Sequence, residues 1–256
     1  MGRVARDPAG GVSVRRILLT ILFVLAGTPA LAGPPFITDD AAPTAVGTWE
    51  INIFNSGTTS ATTGFEQAGV AASYGLTDDL ELNATVVSAF AQADGAPNVA
   101  GFGDASIGAK YRVLHQAYSW VDVSVTPSLS FPTHSNVVLG HNGVVPSLGV
   151  AVEKDWGNWS VFGGGACTFP NDDLSQDYCL MDGAVEWQIT PTLQIGAEIY
   201  HATPGARLGL HTTGVGVGAT YDLSDRYHLL VSAGPGIQNV TSTDGYTWYG
   251  AFQITM

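Results

Sequence analysis

The sequence predicts an all-β protein: a transmembrane antiparallel up-and-down β-barrel of about twelve strands, following a cleaved signal peptide. Three observations lead there. The N-terminus is ordered like an export signal, the rest of the chain alternates apolar and polar residues with the period of a strand, and the connections between alternating stretches are short and long by turns. Composition sets the bounds. The chain has 256 residues, of which 45% are hydrophobic and 12% charged, too apolar for a disordered polypeptide.

Residues 1–32 read as the signal. Arg15 and Arg16 close a basic stretch, Ile17 to Leu25 is apolar, Gly27 and Pro29 break it, and Ala30-Leu31-Ala32 offers a small-residue cleavage site. The apolar stretch is short of the ~20 residues that span a bilayer as a helix. Cleavage is expected after Ala32. Arg3, Arg6, Arg15 and Arg16 are four of the nine cationic side chains, so the mature part keeps five against 21 carboxylates. So acidic a surface offers nothing to neutralise phosphates, and nucleic acid is excluded as a partner. Residues 33–47 are expected to be a periplasmic N-terminal segment, and 48–256 the barrel.

Past residue 33 no stretch approaches 18 consecutive apolar residues, so strands must do any crossing. In 80–86, Leu80, Leu82, Ala84 and Val86 share one face while Glu81, Asn83 and Thr85 share the other. The pattern recurs in 121–131, 181–189 and 193–200. Cutting at turn residues gives strands near 48–56, 65–76, 79–90, 103–114, 119–131, 143–155, 159–169, 178–190, 192–202, 208–222, 226–237 and 246–256. The connections at 76–79, 115–118, 156–158, 190–191 and 223–225 are tight, while those around 57–64, 91–102, 132–142, 170–177, 203–207 and 238–245 are mostly longer. That alternation is the plan of an outer-membrane barrel, with periplasmic turns at one end and longer outer loops at the other.

Aromatic residues fall at both ends of the strands. Tyr74, Tyr118, Trp120, Trp156, Trp159, Trp187, Tyr221 and Tyr227 lie beside the tight turns. Phe54, Phe65, Phe90, Phe102, Phe131, Phe169, Tyr178, Tyr200 and Tyr246 lie beside the long loops. Two interfacial girdles are expected from this placement. A soluble β-sandwich also alternates, but its strands are typically shorter and need no lipid-facing band. Because hydrocarbon offers no hydrogen-bond partner, the last strand must pair with the first. Trp248, Gly250, Phe252, Ile254 and Met256 share one face of that last strand, resembling the terminal signal read by the barrel-assembly machinery.

Two stretches resemble a known family. They are Gly33-Pro34-Pro35-Phe36-Ile37-Thr38-Asp39-Asp40, followed by Gly47-Thr48-Trp49-Glu50, and Gly101-Phe102-Gly103-Asp104-Ala105-Ser106-Ile107-Gly108-Ala109-Lys110-Tyr111-Arg112. They are similar to the meta-pathway phenol-degradation (transporter) family of outer-membrane barrels, and the resemblance covers residues 33–256. It implies passage of small molecules, hydrophobic or aromatic ones included, across the outer membrane of a Gram-negative bacterium. It implies no catalytic residue.

The expected function is a passive, porin-like channel embedded in outer-membrane lipid, without catalytic residue, cofactor or metal. Its candidate lumen lining is Glu50, Glu81, Lys110, Arg112, Asp122, Glu153, Asp182, Glu186 and Glu198. Such a lining favours cations or neutral solutes. The alternative for the same residues is a charge ladder in a narrow lumen, with Lys110 and Arg112 paired to carboxylates on neighbouring strands. Cys167 and Cys179 flank one outer loop and are a candidate disulfide in an oxidising compartment. The inward, alternating Gly216 and Gly218 leave room in the lumen. Two rival functions are a plugged structural barrel and an outer-membrane lipid or peptide hydrolase. The hydrolase would assemble a rim site from His134, Ser135, His141, Asp172, Asp173, His201 and His211.

Overall fold

A computed structural model describes residues 35–171, 175–206 and 209–256; the expected signal peptide lies outside them. Its strands are β1 (Trp49–Thr59), β2 (Thr63–Thr77), β3 (Leu80–Ala93), β4 (Val99–Phe102), β5 (Ala105–Leu114), β6 (Asp122–Phe131), β7 (Val145–Trp156), β8 (Trp159–Thr168), β9 (Tyr178–Thr190), β10 (Leu193–Ala202), β11 (Thr212–Ser224), β12 (Tyr227–Gln238) and β13 (Tyr246–Thr255). Each pairs antiparallel with its neighbours. The circle closes through β1 and β13, from Glu50↔Thr255 to Thr59↔Tyr246. Trp49 and Met256 clasp the seam with reciprocal main-chain hydrogen bonds of 2.7 and 2.9 Å. The first and last strands thus leave no edge for lipid to meet between them, as closure demands.

The fourth expected strand is β5, and a short β4 precedes it within 91–102, a stretch expected to be a loop. Both β4 and β5 pair with β3, at residues 88–91 and 80–85, so the thirteen strands form twelve staves with one interrupted at Gly103-Asp104. The interruption serves the outer loop 132–144. Asp104 accepts from His134 Nδ1 at 2.6 Å and from the His141 amide at 2.7 Å, drawing that loop inward. A short 3-10 turn over Val137–Leu139, capped by Asn136, then buries Leu139. Two boundaries also differ from expectation. The first outer connection shrinks to residues 60–62, where Ser60 hydrogen-bonds to Thr63 and extends the hairpin, and the fifth strand begins at Asp122 because 115–121 form a turn.

Alternation sorts the side chains as the period-two pattern requires. Ile53, Val70, Leu82, Val86, Ile107, Val150, Val185, Ile195, Val217 and Val231 stand exposed on the outside, where they form the apolar band. Trp49 packs on Tyr74, Trp159 stacks on Trp187 and Tyr227 on Phe252, which makes the girdle at the short-turn end. The opposite girdle is thinner than expected. Phe54 stacks on Tyr249 and Phe65 lines a cavity, both inside the wall, and Tyr200 is only 2% exposed. These rings sit at inward register positions, so nearness to a loop did not decide their side.

Candidate functional site: a strapped lumen

Residues 35–46 lie inside the barrel, which corrects the expectation that 33–47 is a periplasmic segment. The physical reason is a match of donors to acceptors: inward carboxylates need partners, and an irregular segment has main-chain N–H groups to give. From β1 the chain reverses at Gly47, whose φ of 75° favours glycine. Val46 forms a bridge to Gly75. The Thr44 amide then donates to Glu81 on β3 at 2.9 Å, and the Ala41 amide donates to Glu153 on β7 at 2.9 Å. The amides of Ile37 and Thr38 donate to Glu198 on β10, at 3.0 and 3.2 Å, and Ser232 on β12 donates to the Pro35 carbonyl at 2.6 Å. The segment is a strap across the lumen.

The head of the strap is seated by shape. The Phe36 ring lies where Gly196 and Gly218 face each other on adjacent strands. A methyl-sized group added at those glycines would stand 2.9 and 2.7 Å from the ring. The room that inward glycines leave at Gly218 is therefore taken by the chain's own phenylalanine. Gly216 instead makes space for Glu198, whose Oε1 would lie 2.8 Å from such a group.

Each expected lining residue has a definite place. Glu81, Glu153 and Glu198 bind the strap. Lys110 bonds to Asp39 and Asp40 of the strap, 2.9 Å from each, so its partners are not carboxylates of neighbouring strands. Arg112 does follow the ladder alternative, lying 3.6 Å from Asp79 and 3.9 Å from Asp122 and donating to the Asp78 carbonyl at 2.8 Å. Glu186 accepts from Gln194 at 2.7 Å, Asp182 from the Gly164 amide at 3.1 Å, and Glu50 from Gln253 at 3.4 Å. Burial pushes the Asp40 carboxyl above its ordinary value, against the pull of Lys110. Sequence reasoning missed Pro35, Phe36, Thr38, Asp39, Asp40, Ala41 and Thr44. The adjacent Asp39-Asp40 pair, in a barrel with so few cations, was the available signal.

The strap divides the space. A cavity of about 330 Å³ is bounded by Phe36 and Ile37 of the strap and by Phe65, Thr58, Gln67, Asp244 and Tyr249, among others. A second, about 160 Å³, is bounded by Ile37 and Asp39 together with Thr126, Ser128, Ser147 and Asp182.

The rim residues that a hydrolase would need have other employment. His134 is held by Asp104, Ser135 Oγ lies 3.5 Å from the Phe102 carbonyl, and His201 bonds to Thr213 at 2.7 Å while stacking on His211. Asp172 and Asp173 lie outside the described residues. Among the described residues no cluster of three His, Cys, Asp or Glu has metal-holding geometry. Cys167 and Cys179 face each other on β8 and β9 and are joined as a disulfide.

Residues 32–250 match the family described as "Putative MetA-pathway of phenol degradation". No curated protein matches the chain. Among solved structures, an outer membrane channel from Pseudomonas putida F1 is similar with a TM-score of 0.69 at 17% identity, over 85% of this chain and 98% of that one. The KdgM porin gives 0.54 at 14%, over 80% and 98%. The translocator domain of the autotransporter NalP from Neisseria meningitidis gives 0.53 at 12%, over 94% and 93%. At these identities the likeness is one of fold, an outer-membrane barrel.

Proposed function

The chain belongs to this phenol-degradation family, and on that premise we propose that it is an outer-membrane channel through which small molecules pass passively. The observation that carries the reading is the sorting of the wall: an apolar outside, and an inside of carboxylates, hydroxyls and cavities bounded by a strap rather than by a packed core. Diffusion needs a polar path and no reacting group.

The larger cavity offers Phe36, Phe65 and Tyr249 beside Thr58, Gln67 and Asp244. Rings for stacking beside hydroxyls and a carboxylate suit a small aromatic molecule with a polar substituent, and the family's description points the same way. A catalytic role has less support, because Ser135 Oγ faces the Phe102 carbonyl rather than an imidazole. Export through the periplasm, cleavage after Ala32 and recognition of β13 by the assembly machinery belong to the same reading.

Planar-bilayer recording of the refolded protein tests it. Discrete current steps are expected, with brief blocks when a water-soluble monocyclic phenol is added. A barrel that inserts yet gives no step, with the strap present or deleted, refutes the channel.

A further inference from the structure

The strap brings two acids, Asp39 and Asp40, into a space already lined by Glu50, Glu81, Glu153 and Glu198. Like charges brought close repel, most strongly at Asp40, whose side chain is 18% exposed against 59% for Asp39, so a cation that meets them favours the seated segment. Lys110 is that cation. Its side chain is 7% exposed and its Nζ lies 2.9 Å from both carboxylates. The other candidates are engaged elsewhere: Arg112 at the short-turn rim with Asp79 and Asp122, and His228 with Asp222 at 2.6 Å.

The strap is also attached in a way that allows release. Neighbouring staves are joined by continuous ladders, such as the ten pairs between β1 and β13. Between 35 and 45 the strap has no ladder; beyond Phe36 in its glycine mould it is held by bonds to five separate side chains, three at Glu198, two each at Glu81 and Lys110 and one each at Glu153 and Ser232, until the Val46–Gly75 bridge. Gly47, where no atom lies within 4 Å of an added Cβ, supplies the turn at its root.

We propose that residues 35–46 are a movable gate and that Lys110 is its latch. Seated, the strap partitions the lumen; unlatched, it swings about Gly47 toward the short-turn end and leaves a through-path lined by the freed Glu81, Glu153 and Glu198. The gate rests on the channel reading and deepens it, since it states what opens the pore. Neutralising Lys110 leaves two acids facing acids, so the seated state loses its counter-charge and the open state does not.

The test uses the full mature chain with Ala41→Cys added. Ala41 is a fully buried residue of the strap and both native cysteines are in the disulfide, so this cysteine reports seating. Three variants are compared with it: Lys110→Met, Lys110→Arg, and the double Asp39→Asn/Asp40→Asn. Folding is checked by heat-modifiable migration in detergent gels. Expected is at least a tenfold rise in open probability, and in labelling by a membrane-impermeant maleimide, for Lys110→Met, with Lys110→Arg near the parent. Asp39→Asn/Asp40→Asn removes the same ion pairs from the strap side and covers the case in which Lys110→Met does not fold. Unlike protonation of Asp40 alone, which leaves Asp39 on Lys110, it strips the buried ammonium of both partners, so its open probability is expected to rise, though less than that of Lys110→Met because the repulsion from Glu81 and Glu153 also ends.

Unchanged labelling and opening in a folded charge variant overturns the latch. A chain lacking 35–46 that conducts no better than the parent overturns the gate. If that deletion folds but neither it nor the parent conducts at all, the channel reading falls with it. If it conducts while Lys110→Met stays closed, the latch alone is lost.

Discussion

The two halves of the lumen are built from different chemistry. Toward the short turns, carboxylates, Lys110 and the strap make a charged, closed section. Toward the outer loops, Phe65, Tyr249, Thr58 and Gln67, with Asp244 and Glu198, bound a compartment of about 330 Å³. Glu81 and Glu153 of the first section are engaged by the strap, and the outer compartment adds rings and hydroxyls to its two carboxylates. A molecule entering from outside meets the weaker, less specific chemistry first and the closure second.

Breaking the frame that both halves share should have the largest effect. Val231→Arg places a charge on the outer apolar band and is expected to cost about 2–4 kcal/mol in refolding into vesicles if it sits near the bilayer midplane. Ser232→Ala, one residue on but facing the Pro35 carbonyl, should cost about 1 kcal/mol by loss of one hydrogen bond. Equal costs at the two positions would break the assignment of faces.

Gly218→Leu sharpens the boundary between the halves. Its side chain enters the place of the Phe36 ring, and overpacking of this kind costs about 1–3 kcal/mol. Phe36→Ala should recover part of that loss in the double variant, measured by thermal unfolding in detergent. Additive losses would show that the ring and the glycine do not meet. Glu198→Gln is milder. It keeps an acceptor for Ile37 and Thr38 but removes the charge that strengthens those bonds, at a cost of about 1 kcal/mol. Labelling of Ala41→Cys should rise several-fold.

The smallest expected effect is from pH. Asp40 binds its proton more tightly when seated, where burial raises its carboxyl, than when the strap is in water. Seating therefore takes up a proton at pH values above the ordinary aspartate range. In that interval a fall in pH favours the seated strap, and a rise removes this contribution until Asp40 is ionised in both states. Lys110, Asp39, Glu50, Glu81, Glu153 and Glu186 surround it electrostatically, so Asp40→Asn should flatten the pH dependence of open probability without abolishing it.

The wall was legible because its signal repeats. Leu80 to Val86 and Leu193 to Tyr200 carry the same period, and a one-residue slip would turn every apolar side chain inward. The register that placed Cys167 beside Cys179 also placed Trp159 beside Trp187. The strap was not legible, because it has no period: Pro35 to Val46 is held by scattered bonds to residues 29 to 197 positions away along the chain. Its partners were recognised as inward carboxylates, but nothing local says that their acceptors meet main-chain amides rather than solvent. The inward turn of Phe54 and Phe65 was hidden for a related reason, since proximity to a loop gives height along the barrel and only register gives the face.

Anchorage of the strap on β3, β5, β7, β10 and β12 has a consequence for biogenesis. Glu81 and Lys110 are paired on neighbouring strands, but they come to face Glu153, Glu198 and Ser232 across one lumen only when the sheet has curled and Trp49 has met Met256. The strap, which precedes every strand in the chain, therefore completes its contacts only once the wall has closed.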